Sequence, residues 1–201
     1  SHGHVVFAEH QTAGRGRRNS AWVSPPASGI YLSIGWRFEE SPSDFSCLSL
    51  STGVAVVQAL KQFNLTEIGL KWPNDIYGQM RKLGGILVET RSEHASYADV
   101  VIGVGINVAI SDAAKKQIDQ PTIDIVRMLS DVPSRNQLAV ALVNELISML
   151  NRYQISGFNY DIEQWRRLDI AQGKKVILTT HSKNNIGRVL GIDDNGLLLM
   201  S

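Results

Sequence analysis

The sequence predicts an α+β domain in which helices pack on a mixed β-sheet, followed by a small all-β module. Short apolar segments separated by turn residues indicate strands and hairpins, and longer amphipathic segments indicate helices. Because the helical segments do not alternate regularly with the strands, a sheet rich in hairpins is favoured over a doubly wound parallel one. The 201 residues, 43% of them hydrophobic, are enough to fill one sizeable core.

The charge balance and the cysteine content exclude several classes of protein. The chain carries 20 Lys and Arg against 19 Asp and Glu, a net charge of +1, so a general nucleic-acid coat protein is excluded and any basic patch must be local. Cys47 is the single cysteine, which rules out an internal disulfide framework and a cysteine-rich zinc site. The expected location is therefore a reducing compartment, the cytoplasm. No apolar run approaches the ~20 residues of a membrane span.

The two ends of the sequence indicate a piece of a longer protein. The chain passes from Ser1 almost at once into an apolar segment, and it stops directly after a strand-like segment that ends at Met200. We therefore expect native residues upstream of Ser1 and a tail beyond Ser201.

Strand and helix signals divide the chain into two modules, residues 1–169 and 170–201. Helical periodicity follows Ser41 and Pro42, a typical helix start, and a capping box of Ser134 and Gln137 opens a long helix. The predicted helices are 41–64, 122–129, 134–153 and 160–168, and the predicted strands are 4–9, which is expected to be buried, 29–38, 69–72, 82–89, 99–108, which is expected to be central, 174–180, 186–192 and 197–200.

The stretch 13–22, Ala-Gly-Arg-Gly-Arg-Arg-Asn-Ser-Ala-Trp, has the composition of an anion-binding loop. Gly14 and Gly16 allow the backbone to approach a ligand closely, and the arginines offer planar forks of donors that match phosphate or carboxylate oxygens. Trp22 at its end is a platform on which a flat ring can lie. The alternative is a solvated arginine-glycine loop, which is common in proteins.

Further polar stretches stand at the ends of apolar strands, where ligand-binding rims are usually built. They are Lys-Trp-Pro-Asn-Asp at 71–75, Arg-Lys-Leu-Gly-Gly-Ile-Leu at 81–87 and Gly-Val-Gly-Ile-Asn at 103–107. Each key residue also has a purely structural explanation. These explanations are a solvated strand-end lysine for Lys71, a core aromatic for Trp72, a turn carboxylate for Asp75, an exposed hairpin lysine for Lys82 and a strand cap for Asn107.

Taken together and in this order, the four stretches resemble the catalytic core of the biotin protein ligases, also called biotin acetyl-CoA-carboxylase ligases. That family carries a Gly-Arg-Gly-Arg-Arg loop with a downstream Trp, then Lys-Trp-Pro-Asn-Asp, then Arg-Lys-Leu-Gly-Gly-Ile-Leu, then Gly-Xaa-Gly-Ile-Asn. Each motif alone is weak, whereas all of them in order are highly specific. The likeness covers Glu9 to Val108, and it implies a class II synthetase-like catalytic domain with a small C-terminal SH3-like barrel.

The resemblance implies a two-step reaction. The carboxylate of biotin attacks the α-phosphate of ATP to give biotinyl-5′-AMP and pyrophosphate, and one lysine of a biotin carboxyl carrier domain then takes the activated acyl group. A carboxylate and a triphosphate repel one another, so their union needs fixed cations of the kind that this sequence supplies. Magnesium is expected to accompany ATP, held by phosphate oxygens and water, because the sequence shows no dense carboxylate cluster for a metal site within the protein.

The resemblance also implies a role for each matching residue. Lys82 would bridge the biotin carboxylate and the α-phosphate, with Arg15 and Arg17 holding the oxygens of both groups. Asp75 would orient or help deprotonate the incoming lysine. The residues expected around biotin are Gln11, Gly14, Arg15, Lys82 and Gly84, and those expected around the nucleotide are Arg17, Arg18, Trp22, Asn107 and Lys71.

The sequence departs from the family pattern in two places. Asn19 and Ser20 stand where many family loops have Gly and a basic residue, so this loop is expected to order differently around an adenylate. The family's Ser-Thr-Asn-type motif, which binds the ureido ring of biotin, has no match before His4, and we expect it upstream of this sequence.

Two other functions stay open at this point. A lipoate or octanoate ligase shares the superfamily and the chemistry, although the Gly-Arg-Gly-Arg-Arg loop favours biotin. A transcriptional repressor would need an N-terminal helix-turn-helix unit, which this sequence lacks, and its near-neutral charge argues against strong DNA binding by this portion. The edges of the predicted sheet also allow a homodimer, but no residue pattern identifies the face.

Overall fold

The computed structural model describes residues 2–39, 45–94, 97–180 and 183–201, with backbone alone at 92–94, and its main element is a six-stranded sheet. All neighbouring strands of this sheet run antiparallel, which corrects the expectation of a mixed sheet. In the order β1-β2-β6-β5-β4-β3, its strands are β1 (His4–Ala8), β2 (Gly29–Phe38), β6 (Tyr97–Asn107), β5 (Arg81–His94), β4 (Asp75–Gly78) and β3 (Ile68–Lys71).

Strand β6 lies in the middle of the sheet, as predicted, and gives it two different faces. Alternate residues from Ala98 to Ile106 are buried, whereas Gly103 and Gly105 between them face the other way and are only partly buried. Because side chains alternate across a strand, the apolar set lies on the core face and the glycines on the opposite face. The glycine face is where the candidate site lies.

The core face is covered by helices. The buried helix α1 (Leu48–Lys61) packs against α3 (Arg135–Ser156), and both contact the sheet. The predicted capping box of Ser134 and Gln137 is confirmed, whereas the predicted helix start at Ser41 and Pro42 lies outside the described residues. A shorter helix α2 spans Asp112–Lys115, and α4 spans Ile162–Leu168. The helix predicted at 122–129 is only the 3-10 turn Ile125–Arg127.

The prediction that the first strand is buried is wrong. Strand β1 pairs only with β2 and forms an edge of the sheet, and Val6 and Phe7 on it are about half exposed (50% and 48%). Its apolar composition matches that of a central strand, and nothing in so short a segment reveals its position in the sheet.

The C-terminal strands form a separate three-stranded sheet, β7 (Lys175–Thr179), β8 (Asn184–Ile192) and β9 (Leu198–Met200), with a hairpin turn at 193–197 between β8 and β9. That turn packs on the first module, since Cys47 Sγ donates to Asn195 O at 3.0 Å and Trp72 Nε1 donates to Gly196 O at 3.0 Å. Three strands are not a closed barrel, so the SH3-like barrel and the boundary near Asp169 stay predictions. No helix in the described part of the chain is long and apolar enough to cross a membrane.

Candidate active site

A cavity of about 630 Å³ lies on the glycine face of the large sheet. Its walls come from the Gly-Arg loop, from strands β2, β5 and β6, and from the segment 117–122. Asp75 and Asn74, which follow the strand end at Lys71, complete the lining. The cavity therefore brings together all the polar stretches that the sequence places at strand ends.

The floor of the cavity is a pair of glycines covered by the indole ring of Trp22. Gly85 and Gly105 are cross-strand partners in β5 and β6. A Cβ on Gly105 would lie 2.6 Å from the Trp22 ring, and one on Gly85 would lie 3.3 Å from it. Glycine is needed at Gly105 because any side chain would displace the ring. The ring Nε1 is buried without a hydrogen-bond partner among the described residues.

The shortest ion pair in the cavity joins Lys82 and Asp75. The Nζ atom of Lys82 lies 2.7 Å from Asp75 Oδ1, and the two side chains are only 15% and 19% exposed. The same ammonium lies 5.6 Å from the centroid of the Trp22 ring, within cation–π distance. A cation thus stands over the cavity floor with a carboxylate on one side and an aromatic face on the other.

The Gly-Arg loop has a defined structure. Gly16 N donates to Ser20 O at 2.8 Å and Trp22 N donates to Gly14 O at 2.9 Å, so the loop closes on itself. Arg18 and Asn19 take positive φ values of 54° and 58°, which Asn tolerates better than most residues. A Cβ at Gly14 would lie 2.5 Å from Trp22 O, so the backbone approaches itself where the sequence places glycine.

The loop presents two arginines to the cavity in different electrostatic states. Arg15 donates to both carboxylate oxygens of Glu89 at 3.3 Å, a loose pair at the cavity rim. Burial lowers the pKa of the Arg17 guanidinium, the positive charge of Arg18 lowers it further, and Asp75 acts in the opposite direction. Arg17 remains a cation, but one held in a place where its charge is unfavourable. Attraction to an anion bound beside Arg17 would offset both the cost of its burial and its repulsion from Arg18.

Most of the predicted site residues line this cavity, while four do not. Those that line it are Gln11, Arg15, Arg17, Trp22, Asp75, Lys82 and Asn107. Arg18 instead donates to Thr179 O of strand β7 at 3.2 Å. Lys71 lies outside the cavity with its ammonium 3.3 Å from Tyr77 Oη, as the solvated strand-end alternative expects. Gly14 does not line the cavity and instead contacts the backbone of Trp22.

Gly84, which was expected around biotin, does not line the cavity, whereas its neighbour Gly85 does. A Cβ on Gly84 would meet Gly105 O and Ile106 Cδ1 at 2.6 and 2.7 Å, whereas one on Gly85 would point toward Trp22, Lys82 and Asp75. Adjacent residues of a strand point to opposite faces, so the glycine that faces the cavity is Gly85.

The sequence reasoning missed several residues of the lining. Glu89 and Arg91 lie on the cavity side of β5, at alternate positions counted from Gly85. A strict period of two along this strand would have found them. The segment 117–122 carries no such signal, because its contribution depends on how it folds back over the sheet.

Asn107 combines a structural role with its place in the lining. Its amide donates to Ile123 O at 3.1 Å and to Lys82 O at 3.4 Å, and the residue is buried. It therefore joins the end of β6 to the start of β5 and to the segment after residue 122. The structural alternative, a strand cap, describes these contacts.

Among the described residues, no group of three or more His, Cys, Asp or Glu side chains is placed to hold a metal ion. Three carboxylates line the cavity: Asp75 is paired with Lys82, Glu89 is paired with Arg15 and Arg91, and Asp119 lies on the segment 117–122.

Comparison with known proteins gives one consistent result. The model of the biotin/lipoate A/B protein ligase family matches residues 1–107. The chain is 36% identical over 198 residues to the bifunctional ligase/repressor BirA of Escherichia coli, covering 98% of this chain and 61% of that protein. It is 32% identical to the biotin–[acetyl-CoA-carboxylase] ligase of Mycobacterium tuberculosis, covering 98% of this chain and 73% of that protein.

The fold agrees with these relatives. A biotin protein ligase from Aquifex aeolicus, solved in complex with biotin and ATP, superimposes with a TM-score of 0.85 at 25% identity, covering 100% of this chain and 82% of that one. The chain spans less than two thirds of the E. coli protein, 61% of its length.

Proposed function

The chain belongs to the biotin/lipoate A/B protein ligase family, and from that premise we propose that it is the catalytic part of an ATP-dependent biotin protein ligase. The observation that carries the proposal is the ion pair of Lys82 and Asp75 in a cavity that Arg15 and Arg17 also line. The names of the relatives support it, since they include biotin–[acetyl-CoA-carboxylase] ligases and a ligase solved with biotin and ATP.

In the first step, a carboxylate oxygen of biotin attacks the α-phosphorus of ATP. The new bond joins that oxygen to phosphorus, the bond from the α-phosphorus to the bridging oxygen of pyrophosphate breaks, and pyrophosphate leaves with the electron pair. Two unit negative charges 4 Å apart repel by about 4 kcal/mol at an effective dielectric constant of 20. Lys82, Arg15 and Arg17 offset this repulsion because their charges are in place before the substrates arrive.

In the second step, the ε-amine of a carrier lysine attacks the acyl carbon and AMP leaves. A lysine with an ordinary pKa of about 10.4 is almost entirely ammonium at pH 7, so the amine must lose a proton to react. In this proposal Asp75 orients the incoming lysine or helps to take the proton that its ammonium loses. When Lys82 turns from Asp75 to the adenylate, the carboxylate is released for this role. In this proposal, one ion pair therefore serves both steps.

The rest of the cavity supplies binding. In this proposal Trp22 offers an aromatic face to the ligand, Asn107 contacts the nucleotide, and Gln11 and Gly85 contact biotin. In this proposal magnesium accompanies ATP without a protein cage, and the partner is a biotin carboxyl carrier domain. Because ATP is its substrate, we place the enzyme in the cytoplasm. A homodimer is a further proposal, which light scattering of the purified protein tests.

The proposal is tested with the purified protein, ATP, magnesium and one acid at a time. Biotin should give pyrophosphate release and labelling of one lysine of a carrier domain, whereas octanoate and lipoate should give neither at the same concentration. Equal or greater release with octanoate or lipoate would replace the proposal with its nearest alternative in the family. Release with none of the acids would reject both.

A further inference from the structure

We propose that Asp124, which does not line the cavity, is a positioning residue that holds both the cavity wall at 117–122 and the backbone of Lys82. Its effect on folding of the wall is independent of the proposed function, while its effect on kinetics rests on that function. Asp124 is fully buried, at 0% exposure. A buried carboxylate is costly unless it is paired and hydrogen-bonded, so its contacts indicate what it does.

Three donors converge on one oxygen of Asp124. Oδ2 accepts from Ile110 N at 3.1 Å and lies 2.9 Å from Lys115 Nζ. The guanidinium of Arg127 donates to the same oxygen. Charge-assisted hydrogen bonds of this kind are about twice as strong as neutral ones. The Asp124 carboxylate therefore joins Ile110 and Arg127 to Lys115 of helix α2.

These contacts close the base of a loop. Ile110 lies at its start and Asp124 at its end, Arg127 also donates to Ile110 O at 3.2 Å, and Val126 N donates to Val108 O at 3.0 Å. The middle of this loop, residues 117–120 and 122, lines the cavity. Lys115 lies just before that middle part and points back to Asp124, so the carboxylate fixes the wall as well as the base.

The wall is joined directly to the backbone of Lys82. Lys82 N donates to Pro121 O at 2.9 Å, and Ile123 N donates to Lys82 O at 3.0 Å. Asn107 donates to Ile123 O from the other side. Ile123 immediately precedes Asp124, so a shift of Asp124 also moves Pro121 and Ile123, the two hydrogen-bond partners of the Lys82 backbone. A misplacement of about 1 Å can cost 10²-fold in rate, which makes this anchor relevant to catalysis.

Three variants distinguish the effect of Asp124 from that of the charged residues around it. Asp124→Asn keeps the size of the side chain, removes the carboxylate partner of Lys115 and leaves Arg127 paired with the exposed Asp112. Lys115→Met removes one donor and keeps the others. Asp112→Asn is the matched control, because Asp112 pairs with the same Arg127 at 2.6 Å but is 84% exposed and outside the base of the loop.

The first measurement is amide hydrogen exchange of the free protein, which needs no substrate. Asp124→Asn and Lys115→Met should speed exchange of residues 110–123 and of Lys82, while Asp112→Asn leaves it at the wild-type rate. Wild-type exchange of that segment in a folded Asp124→Asn protein would overturn the proposal. If Asp124→Asn does not fold, Lys115→Met decides the matter by the same criterion.

The second measurement is steady-state pyrophosphate exchange, with active-site concentration titrated. Because the wall lines the cavity, Lys115→Met should raise the KM for ATP about 3-fold and Asp124→Asn about 10-fold or more. A purely structural role lowers the fraction of active protein and leaves KM unchanged, and that outcome would also overturn the proposal. If the wild type shows no biotin-dependent exchange, the proposed function fails, and hydrogen exchange still tests the anchor.

Discussion

Replacing Lys82 with Ala is the most informative perturbation of the cavity. It removes the ammonium 2.7 Å from Asp75 and leaves that carboxylate in a site where it is 19% exposed. Removing one fixed donor that faces developing charge costs about 2.7–4 kcal/mol, or 10²–10³ in rate. We expect the rate of biotin-dependent ATP–pyrophosphate exchange to fall by at least that factor, so that adenylate formation is nearly abolished.

The same substitution has a separate cost in stability. Breaking a fully buried ion pair costs about 3–5 kcal/mol, but residual exposure of both partners reduces the expected loss to about 1–2 kcal/mol. The melting temperature should fall by a few degrees, and the assay must therefore use protein whose folded fraction is checked by circular dichroism. The loss of rate should remain after correction for that fraction.

Lys71→Ala is the matched control for this experiment. Lys71 is another lysine near a strand end, but its ammonium contacts Tyr77 outside the cavity. We expect its exchange rate to stay within about twofold of wild type, as for most surface substitutions. A normal rate in Lys82→Ala, or an equal loss in both variants, would refute the assignment of Lys82.

The other predictions concern the second step, the loop, the floor and a buried acid. Asp75→Asn should slow acyl transfer more than adenylate formation in single-turnover experiments, and equal slowing would defeat its assignment. Arg17→Gly should loosen retention of the adenylate, so that trapping of biotinyl-AMP outside the enzyme increases, whereas unchanged retention would contradict the role of Arg17. Gly105→Val should push the Trp22 ring off the floor and quench or shift its fluorescence, with biotin affinity reduced about 10-fold or more, since overpacking costs about 1–3 kcal/mol; an unaltered spectrum would contradict this packing. Burial raises the pKa of Asp161 above its ordinary value, so its charged form opposes folding and the stability that its neutral form gives is lost as pH rises through the folded pKa. Asp161→Asn should therefore raise the melting temperature more at pH 7 than at pH 3, which lies below the ordinary carboxyl pKa of about 3.9, and the reverse order would show that the carboxylate is stabilised.

The sequence predicted the elements better than their arrangement. Period-two segments and turn residues located the strands of both sheets except β4 (Asp75–Gly78), and the Ser134 capping box located the start of α3. The edge position of β1 and the antiparallel direction of every pair in the large sheet depend on long-range pairing, which a local pattern does not encode.

The site was predictable where motif residues sit at strand ends. Lys82, Asp75 and Asn107 belong to different stretches and meet in the cavity because antiparallel neighbours bring those ends together. Gly84 does not face the cavity although its neighbour Gly85 does, because adjacent residues of a strand point to opposite faces of the sheet. Arg18 was expected near the nucleotide, but its contact with Thr179 and the position of the wall at 117–122 could not be predicted, since they arise from the C-terminal sheet and from a loop that folds back over the cavity.

A structure with an unreactive biotinyl-adenylate analogue tests the central claim most directly. The account predicts that Lys82 Nζ leaves Asp75 and lies within hydrogen-bond distance of the acyl-phosphate oxygens, with Arg15 and Arg17 on the remaining phosphate or carboxyl oxygens. A bound analogue with Lys82 still paired to Asp75, or with both arginines turned out of the cavity, would contradict it.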